Sequence, residues 1–143
     1  MQIDKVFKNK KVIVTGHTGF KGSWLTLWLV EAGAKVLGMS KNIPTSPSHY
    51  ELLELNKKIV SKKIDIQNLK KVKQTIKQFK PDFIFHLAAQ SIVSKSYVNT
   101  IETWKTNLMG TANILESLKQ NNKEIVTVII TSDKCYKNIE TKK

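Results

Sequence analysis

The sequence has no arginine. All of its 24 basic residues are lysines, and with 11 acidic residues they give a formal net charge of +13. Such a charge suggests a polyanion as partner, but arginine is the usual bidentate reader of phosphate and guanine. The lysines are also spread along the whole chain instead of forming one basic patch. We therefore interpret the charge as a lysine-rich surface and expect no nucleic acid partner.

Cysteine, long apolar runs and a leader segment are also scarce or missing. A single cysteine, Cys135, excludes an internal disulfide and a cysteine cluster for a metal. No run of about 18 apolar residues could cross a membrane, and the first residues lack the apolar core of a signal peptide. The sequence therefore predicts a cytoplasmic protein with no membrane partner and no metal. Its 143 residues suffice for one domain with a buried core.

Short β-branched and apolar segments alternate with segments of helical periodicity. The strands are predicted at Lys11–Thr15, Ala34–Met39, Ile59–Ile66, Phe83–Ala88 and Ile125–Thr131. Helices are predicted at Phe20–Ala32, Asn68–Phe79 and Ser96–Gln120, with a short one around Tyr50–Leu55. Apolar strands without alternation indicate a parallel sheet covered on both faces. The pattern predicts a Rossmann-type α/β fold with strand order 3-2-1-4-5 and no internal domain boundary.

Three glycines follow the first predicted strand and open the first helix, in the segment Gly16-His17-Thr18-Gly19-Phe20-Lys21-Gly22. In this position glycines allow a tight turn, a close approach of backbone to a pyrophosphate, and helix–strand contact. The spacing is G-x-x-G-x-x-G, and its place between strand and helix favours a dinucleotide site over a purely structural loop. Lys21 either supports the phosphates or is a surface lysine.

The ends of the second and third strands bear on the adenosine side of such a site. An acidic residue after the second strand would select NAD, but Ser40, Lys41 and Asn42 stand there. The choice between NAD and NADP therefore stays open, since Lys41 would tolerate a 2′-phosphate. Asp65 either accepts a hydrogen bond from adenine or caps the following helix.

Polar or small residues also end the fourth and fifth strands. Leu87-Ala88-Ala89-Gln90 would let a cofactor lie over the strand ends, while the lone His86 is interpreted as a core residue. Thr131-Ser132-Asp133-Lys134 brings a hydroxyl, a carboxylate and an amine to the edge where ligands bind in parallel sheets. The alternative is an ordinary polar turn.

Several motifs together carry a resemblance to a known family. The segments VTGHTGFKGSWLTLWL, PTSPSHYE, HLAAQ, TNLMGT and TSDKCY occur in order along almost the whole chain. With them the sequence resembles the extended short-chain dehydrogenase/reductase family, and within it the 4,6-dehydratases that act on CDP-glucose. Asp133-Lys134 distinguishes it from the related branch that acts on dTDP-glucose, which has Asp-Glu there.

The resemblance implies a redox-neutral dehydration of a nucleotide sugar, with NAD as cofactor and NADP not excluded. Ser132 would hold the sugar, Asp133 would protonate the leaving hydroxyl, and Lys134 stands where the sister branch has its base. The implied cofactor-binding residues are Gly16, His17, Thr18, Gly19, Phe20, Lys21, Gly22, Asp65, Ile66, Leu87, Ala88, Ala89, Gln90 and Asn107. Asn107 is alternatively a helix-capping or surface asparagine.

The sequence also departs from the family pattern. Ser91 replaces a frequent proline, Ser94-Lys95 replaces an arginine-containing stretch, and no tyrosine has a lysine four residues later. The implied Tyr-x-x-x-Lys pair would follow Ser132. We therefore expect residues 1–143 to be an NAD(P)-binding domain that ends before that pair and before the substrate domain. Full-length relatives are expected to form homodimers, whereas the oligomeric state of this chain stays open. An exposed fifth strand predicts poor solubility.

Overall fold

The computed structural model describes residues 4–119, 123–132 and 137. It contains a parallel five-stranded sheet with the order β3-β2-β1-β4-β5, which confirms the predicted order. The strands are β1 (Lys11–Thr15), β2 (Lys35–Ser40), β3 (Val60–Lys63), β4 (Phe83–His86) and β5 (Val126–Ile129). The third strand is shorter than predicted because a turn starts at Asp65, whose side chain accepts a hydrogen bond from Gln67 N at 2.9 Å.

Helices connect successive strands. In the described part of the chain they are α1 (Asp4–Phe7), α2 (Phe20–Glu31), α3 (His49–Leu52), α4 (Leu55–Lys58), α5 (Leu69–Phe79), α6 (Val93–Val98), α7 (Thr100–Trp104) and α8 (Gly110–Leu118). The short α1 was not predicted from the sequence. It is held by Phe7, whose ring packs edge-on against Phe83 at 5.1 Å between centroids.

The long helix predicted over residues 96–120 is wrong in its continuity. The helical stretch begins three residues earlier, at Val93, and breaks at Asn99, whose backbone (φ −116°, ψ 52°) is not helical. A π-helical turn over Lys105–Met109 then joins α7 to α8. Such wide turns occur mostly as single insertions within α-helices, often at functional sites.

Two hydrophobic cores lie on the two sides of the sheet. One joins side chains of β1, β2, α1 and α2, namely Phe7, Val12, Val14, Leu29, Ala32 and Val36. The other joins the alternate strand residues to α5 and α8, and it contains Ile13, Leu37, Met39, Ile64, Ile66, Val72, Ile76, Ile84 and Ile114. This alternation along β1 explains why its apolar run is continuous. The prediction of helices on both faces is confirmed.

The fifth strand is exposed, as expected from the sequence, because β5 lies at an edge of the sheet. Its residues alternate between exposed and half-buried, and Val126 and Val128 are among the exposed apolar side chains. No helix in the described ranges is long and apolar enough to cross a membrane.

The register of the sheet aligns the ends of its strands. Thr15 pairs with Met39 and His86, Ser40 pairs with Lys63, and His86 pairs with Ile129. The residues after each strand therefore lie at one carboxyl edge. The loops at this edge hold most of the residues considered below.

Candidate functional site

The loop between β1 and α2 packs its backbone closely against neighbouring backbone. Gly16 has a φ of +73°, a left-handed conformation that favours glycine. A Cβ atom on Gly16 would lie 2.8 Å from Ala88 N, and one on Gly22 would overlap the carbonyl oxygen of Gly16. Gly19 N closes the turn by donating to Gly16 O at 3.0 Å. The two overlaps leave no room for a side chain on Gly16 or Gly22.

The N-terminus of α2 points its first amides away from the helix. Gly19 is the N-cap, and no side chain makes a capping hydrogen bond there. The first N–H groups of a helix lack partners within the helix and, with the helix dipole, attract an anion. Phe20 and Lys21 are exposed beside them. The loop is therefore suited to a phosphate group.

His17 lies beneath the loop and not on its surface. Its side chain is 1% exposed, with Nδ1 3.0 Å from Ser40 Oγ and Nε2 2.8 Å from Ser61 Oγ. The ring of Tyr50 packs edge-on against it at 5.2 Å. Burial lowers the pKa of His17 to about 4, so the ring is neutral at pH 7. The side chain of this predicted cofactor residue ties the loop to β2 and β3.

Thr18 fastens the same loop to the segment after β2. Its hydroxyl donates to the carbonyl oxygen of Asn42 at 2.7 Å, and its amide donates to Ser40 Oγ at 3.4 Å. The side chains of Ser40 and Thr18 are therefore engaged within the protein.

A hydrogen-bonded chain crosses the sheet from β1 to α8 through His86. Thr15 Oγ1 accepts hydrogen bonds from the amides of Leu87 and Ala88, both at 3.1 Å. Its own proton is therefore donated to His86 Nδ1, 2.7 Å away, and the ring carries its proton on Nε2. Nε2 then donates to Thr111 Oγ1 at 3.0 Å.

His86 is neutral in this arrangement. Its side chain is 2% exposed, and burial lowers its pKa to about 4. The interpretation of His86 as a core residue is confirmed. In addition, the chain through Thr15 positions the backbone of Leu87 and Ala88, two of the predicted cofactor residues.

Asn107 holds the next residues of the same strand end. Its Oδ1 accepts from Gln90 N at 2.8 Å, and its Nδ2 donates to Gln90 O at 3.0 Å. Gln90 Nε2 reaches Thr103 Oγ1 at 3.2 Å. Asn107 lies within the π-helical turn, and its side chain contacts the backbone of Gln90, the last residue of the Leu87–Gln90 segment. Asn107 is not a helix cap; it is an exposed residue, as the surface alternative expects, and its side chain bonds both backbone groups of Gln90.

A charged cluster lies where the ends of β2 and β3 approach α7. Lys41 Nζ is 3.1 Å from Asp65 Oδ2 and 3.1 Å from Glu102 Oε1. Gln67 Nε2 also donates to Glu102 Oε1, at 2.8 Å. Hydrogen bonds to Asp65 and then Glu102 raise the pKa of Lys41, and the bond from Lys41 is the main cause that lowers the pKa of Glu102.

The predicted adenine-side residues have distinct environments. The cap of α5 is Asn68, whose Oδ1 accepts from Lys71 N at 3.0 Å, so the alternative assignment of Asp65 as that cap is wrong. Ile66 is 4% exposed and belongs to the core. Asn113 Nδ2 donates to Ile66 O at 2.9 Å, which holds this turn against α8.

Ser132 follows β5 at the same edge and is exposed. Asp133 and Lys134, its predicted catalytic neighbours, lie outside the described residues. The described part of the chain has no group of three or more His, Cys, Asp or Glu residues that could hold a metal ion.

Three residues that take part in the hydrogen bonds and ion pairs of the candidate site were not identified from the sequence: Thr15, Gln67 and Glu102. Thr15 reads as the last residue of a β-branched strand, and Glu102 as one exposed helix residue among others. Glu102 is 61 residues from its partner Lys41, and no local spacing links them. Only the polar character of Thr15 within an apolar strand was a signal available in the sequence.

The profile of the family described as GDP-mannose 4,6 dehydratase matches residues 13–143. The chain belongs to the GDP-mannose 4,6-dehydratase family. This confirms the resemblance to nucleotide-sugar dehydratases. Within the family, the chain is 51% identical to the CDP-glucose 4,6-dehydratase of Salmonella typhimurium, over 96% of this chain and 39% of that protein. It thus spans about two fifths of the length of that curated relative.

Solved structures of epimerases share the fold of this member of the GDP-mannose 4,6-dehydratase family. An epimerase of Methanothermobacter thermautotrophicus superposes with a TM-score of 0.78 and 29% identity, over 97% of this chain and 40% of that chain. The UDP-glucose 4-epimerase of Thermus thermophilus, solved as a complex with NAD, has a TM-score of 0.68 and 27% identity, over 77% and 34% of the two chains.

Proposed function

We propose that these residues form the dinucleotide-binding part of a CDP-glucose 4,6-dehydratase. The observation that carries the proposal is the 51% identity to the Salmonella typhimurium dehydratase over 96% of the chain. A member of the family with this role would convert CDP-glucose to CDP-4-keto-6-deoxyglucose and water. The reaction has no net oxidation, since the hydride removed from the sugar returns to it.

The site fits a nicotinamide dinucleotide. The Gly16–Gly22 loop has no room for a Cβ at Gly16 or Gly22, and α2 begins without a side-chain cap, which suits a pyrophosphate. The adenosine would lie towards Asp65 and Ile66, and the nicotinamide towards Leu87–Gln90. When bound, the cofactor would accept a hydride from carbon 4 of the hexose and return it to carbon 6.

The protein's own groups would hold the sugar and move its protons. The Ser132 hydroxyl would bind the reacting sugar. Asp133 would protonate the hydroxyl that leaves carbon 6. Lys134 would take the proton from carbon 5, which requires an amine that is neutral at that moment and hence a lowered pKa. These three roles rest on the family resemblance.

Binding of dinucleotides by the 143-residue chain tests the cofactor part of the proposal. We expect calorimetric titration with NAD to show binding at a single site. Gly22→Ala should abolish that binding while the circular dichroism spectrum stays native-like, because the new Cβ would overlap Gly16 O. Lys21→Ala separates the two interpretations of Lys21, since only a lysine that supports the phosphates would lower the affinity when removed. A wild-type chain that binds neither NAD nor NADP would refute the proposal.

A second candidate function is a dinucleotide-binding module without catalysis. It is favoured by one observation, namely that none of the tyrosines at positions 50, 97 and 136 has a lysine four residues later. Because the family resemblance implies a Tyr-x-x-x-Lys pair for removal of the carbon 4 hydroxyl proton, we expect the 143 residues alone to bind NAD without turnover. Incubation with CDP-glucose and NAD, followed by NMR for the 4-keto sugar, distinguishes the two. Product above the no-enzyme background would contradict the binding-only function.

A related nucleotide-sugar epimerase is the remaining alternative, since solved epimerases share the fold. The same NMR assay with UDP-glucose, read for UDP-galactose, tests it on the same sample.

A further inference from the structure

The residue after β2 is a lysine whose charge is already engaged. In dinucleotide-binding folds of this type, an acid near the end of the second strand binds the adenosine ribose hydroxyls, while a cation nearby accommodates a 2′-phosphate. Lys41 stands at this place, which by itself would favour NADP. The environment of Lys41 in the folded protein favours NAD instead.

Two carboxylates compete for the single ammonium group. Lys41 Nζ contacts Asp65 Oδ2 and Glu102 Oε1, both at 3.1 Å. Formal charges of +1, −1 and −1 leave the three side chains with a net negative charge. Glu102 is held in place from its other side by Gln67 Nε2 at 2.8 Å, which also donates to Thr106 Oγ1 at 3.0 Å. The arrangement thus joins β2, the β3–α5 turn and α7.

We propose that Glu102 is a specificity-determining residue that, together with Asp65, withholds Lys41 from a 2′-phosphate and so makes the site prefer NAD to NADP. This inference rests on the proposed dinucleotide-binding function. A phosphate monoester carries a charge of about −1.5 to −2 at pH 7, and it would have to approach two carboxylates to reach one ammonium. A ribose 2′-hydroxyl is neutral and can donate to a carboxylate at the same place.

The expected size of the change in NADP affinity follows from the solvent exposure of the Lys41 and Glu102 side chains. The side chains of Lys41 and Glu102 are 60% and 48% exposed, so solvent screens their interaction. Removal of one carboxylate beside a bound phosphate is therefore expected to change affinity by about three- to tenfold, and not by orders of magnitude. The NAD affinity should change by less than about twofold, because its ribose adds no charge.

A neighbouring cavity suggests the opposite preference, for NADP over NAD. It has a volume of about 330 Å³ and is lined by residues that include Thr18, Ser40, Lys62 and Lys63. If Lys62 and Lys63 determined the preference between NAD and NADP, they would bind the 2′-phosphate. The wild-type chain would then bind NADP at least as tightly as NAD.

The test compares NAD and NADP by calorimetry on the 143-residue chain and three variants. We expect the wild-type chain to prefer NAD and Glu102→Gln to raise NADP affinity about three- to tenfold. Adding Lys41→Ala to Glu102→Gln should remove the gain. Glu116→Gln is the matched control, since Glu116 is also an exposed carboxylate paired with a lysine, Lys119, at 2.6 Å. Circular dichroism checks that each variant folds.

Two results overturn the inference while the proposed function stands. One is NADP affinity equal to or above NAD affinity in the wild-type chain. The other is the same NADP gain in Glu102→Gln and Glu116→Gln, which would reflect net charge alone. If the wild-type chain binds neither dinucleotide, the proposed function fails and this inference falls with it.

Discussion

Replacement of Thr15 by valine removes one hydroxyl at the centre of the strand-end structure. Valine has nearly the same shape, so packing is retained while the hydrogen bonds are lost. Ala88 N–H and His86 Nδ1 lose the partner that lies 3.1 Å and 2.7 Å away, whereas Leu87 N–H keeps the carbonyl oxygen of Thr15 at 3.2 Å. Each buried polar group left without a partner costs about 1–3 kcal/mol. We expect Thr15→Val to lower the free energy of unfolding by about 2–4 kcal/mol.

The chain contains a matched control for this substitution. Thr26 on α2 is also fully buried, and its Oγ1 is the one buried side-chain polar atom without a hydrogen-bond partner among the described residues. Thr26→Val removes a hydroxyl that gains nothing from burial, so its effect should be neutral or stabilising by up to about 1 kcal/mol.

Urea denaturation followed by circular dichroism measures both variants. A change in the midpoint with an unchanged m-value reports a change in stability itself. If Thr15→Val and Thr26→Val shift the midpoint alike, or if Thr15→Val costs less than about 0.5 kcal/mol, the assignment of the Thr15 hydroxyl to Ala88 and His86 is refuted.

Two further predictions concern pH and the strand-end loop. Because burial lowers the pKa of His17 and of His86 from 6.5 to about 4, the unfolded chain binds more protons than the folded chain between these values, and stability should decrease as pH falls from about 6.5 towards 4. Melting temperatures across this range check it, with His86→Gln expected to flatten the dependence. Asn107→Asp would place a carboxylate oxygen against Gln90 O, and we expect about tenfold weaker NAD binding by calorimetry. Asn56→Asp, an equal charge change at an exposed position of α4, should leave the affinity unchanged.

The strand order and the position of the candidate site could be predicted from local features of the sequence. Runs such as Lys11–Thr15 followed by glycines identify a buried strand and a turn, and parallel strands bring their carboxyl ends to one edge. The helical break at Asn99 could not be predicted in this way, because the residues around it carry none of the usual sequence signals for a helix end. The segment around it contains no proline or glycine, the residues that usually mark such an interruption.

The function of individual side chains was less predictable than their position, for a physical reason. A sequence pattern places a residue at an edge of the sheet, but what its side chain does depends on the group that reaches it from another element. His17 falls in the glycine loop and reads as a cofactor contact, yet serines of β2 and β3 hold its ring beneath the loop. From the sequence, Lys41 is interpreted as a cation available to a phosphate, but in the folded protein Glu102 of α7 forms an ion pair with it. Both interactions join distant parts of the chain, so they depend on the tertiary fold and leave no local periodicity or spacing to read.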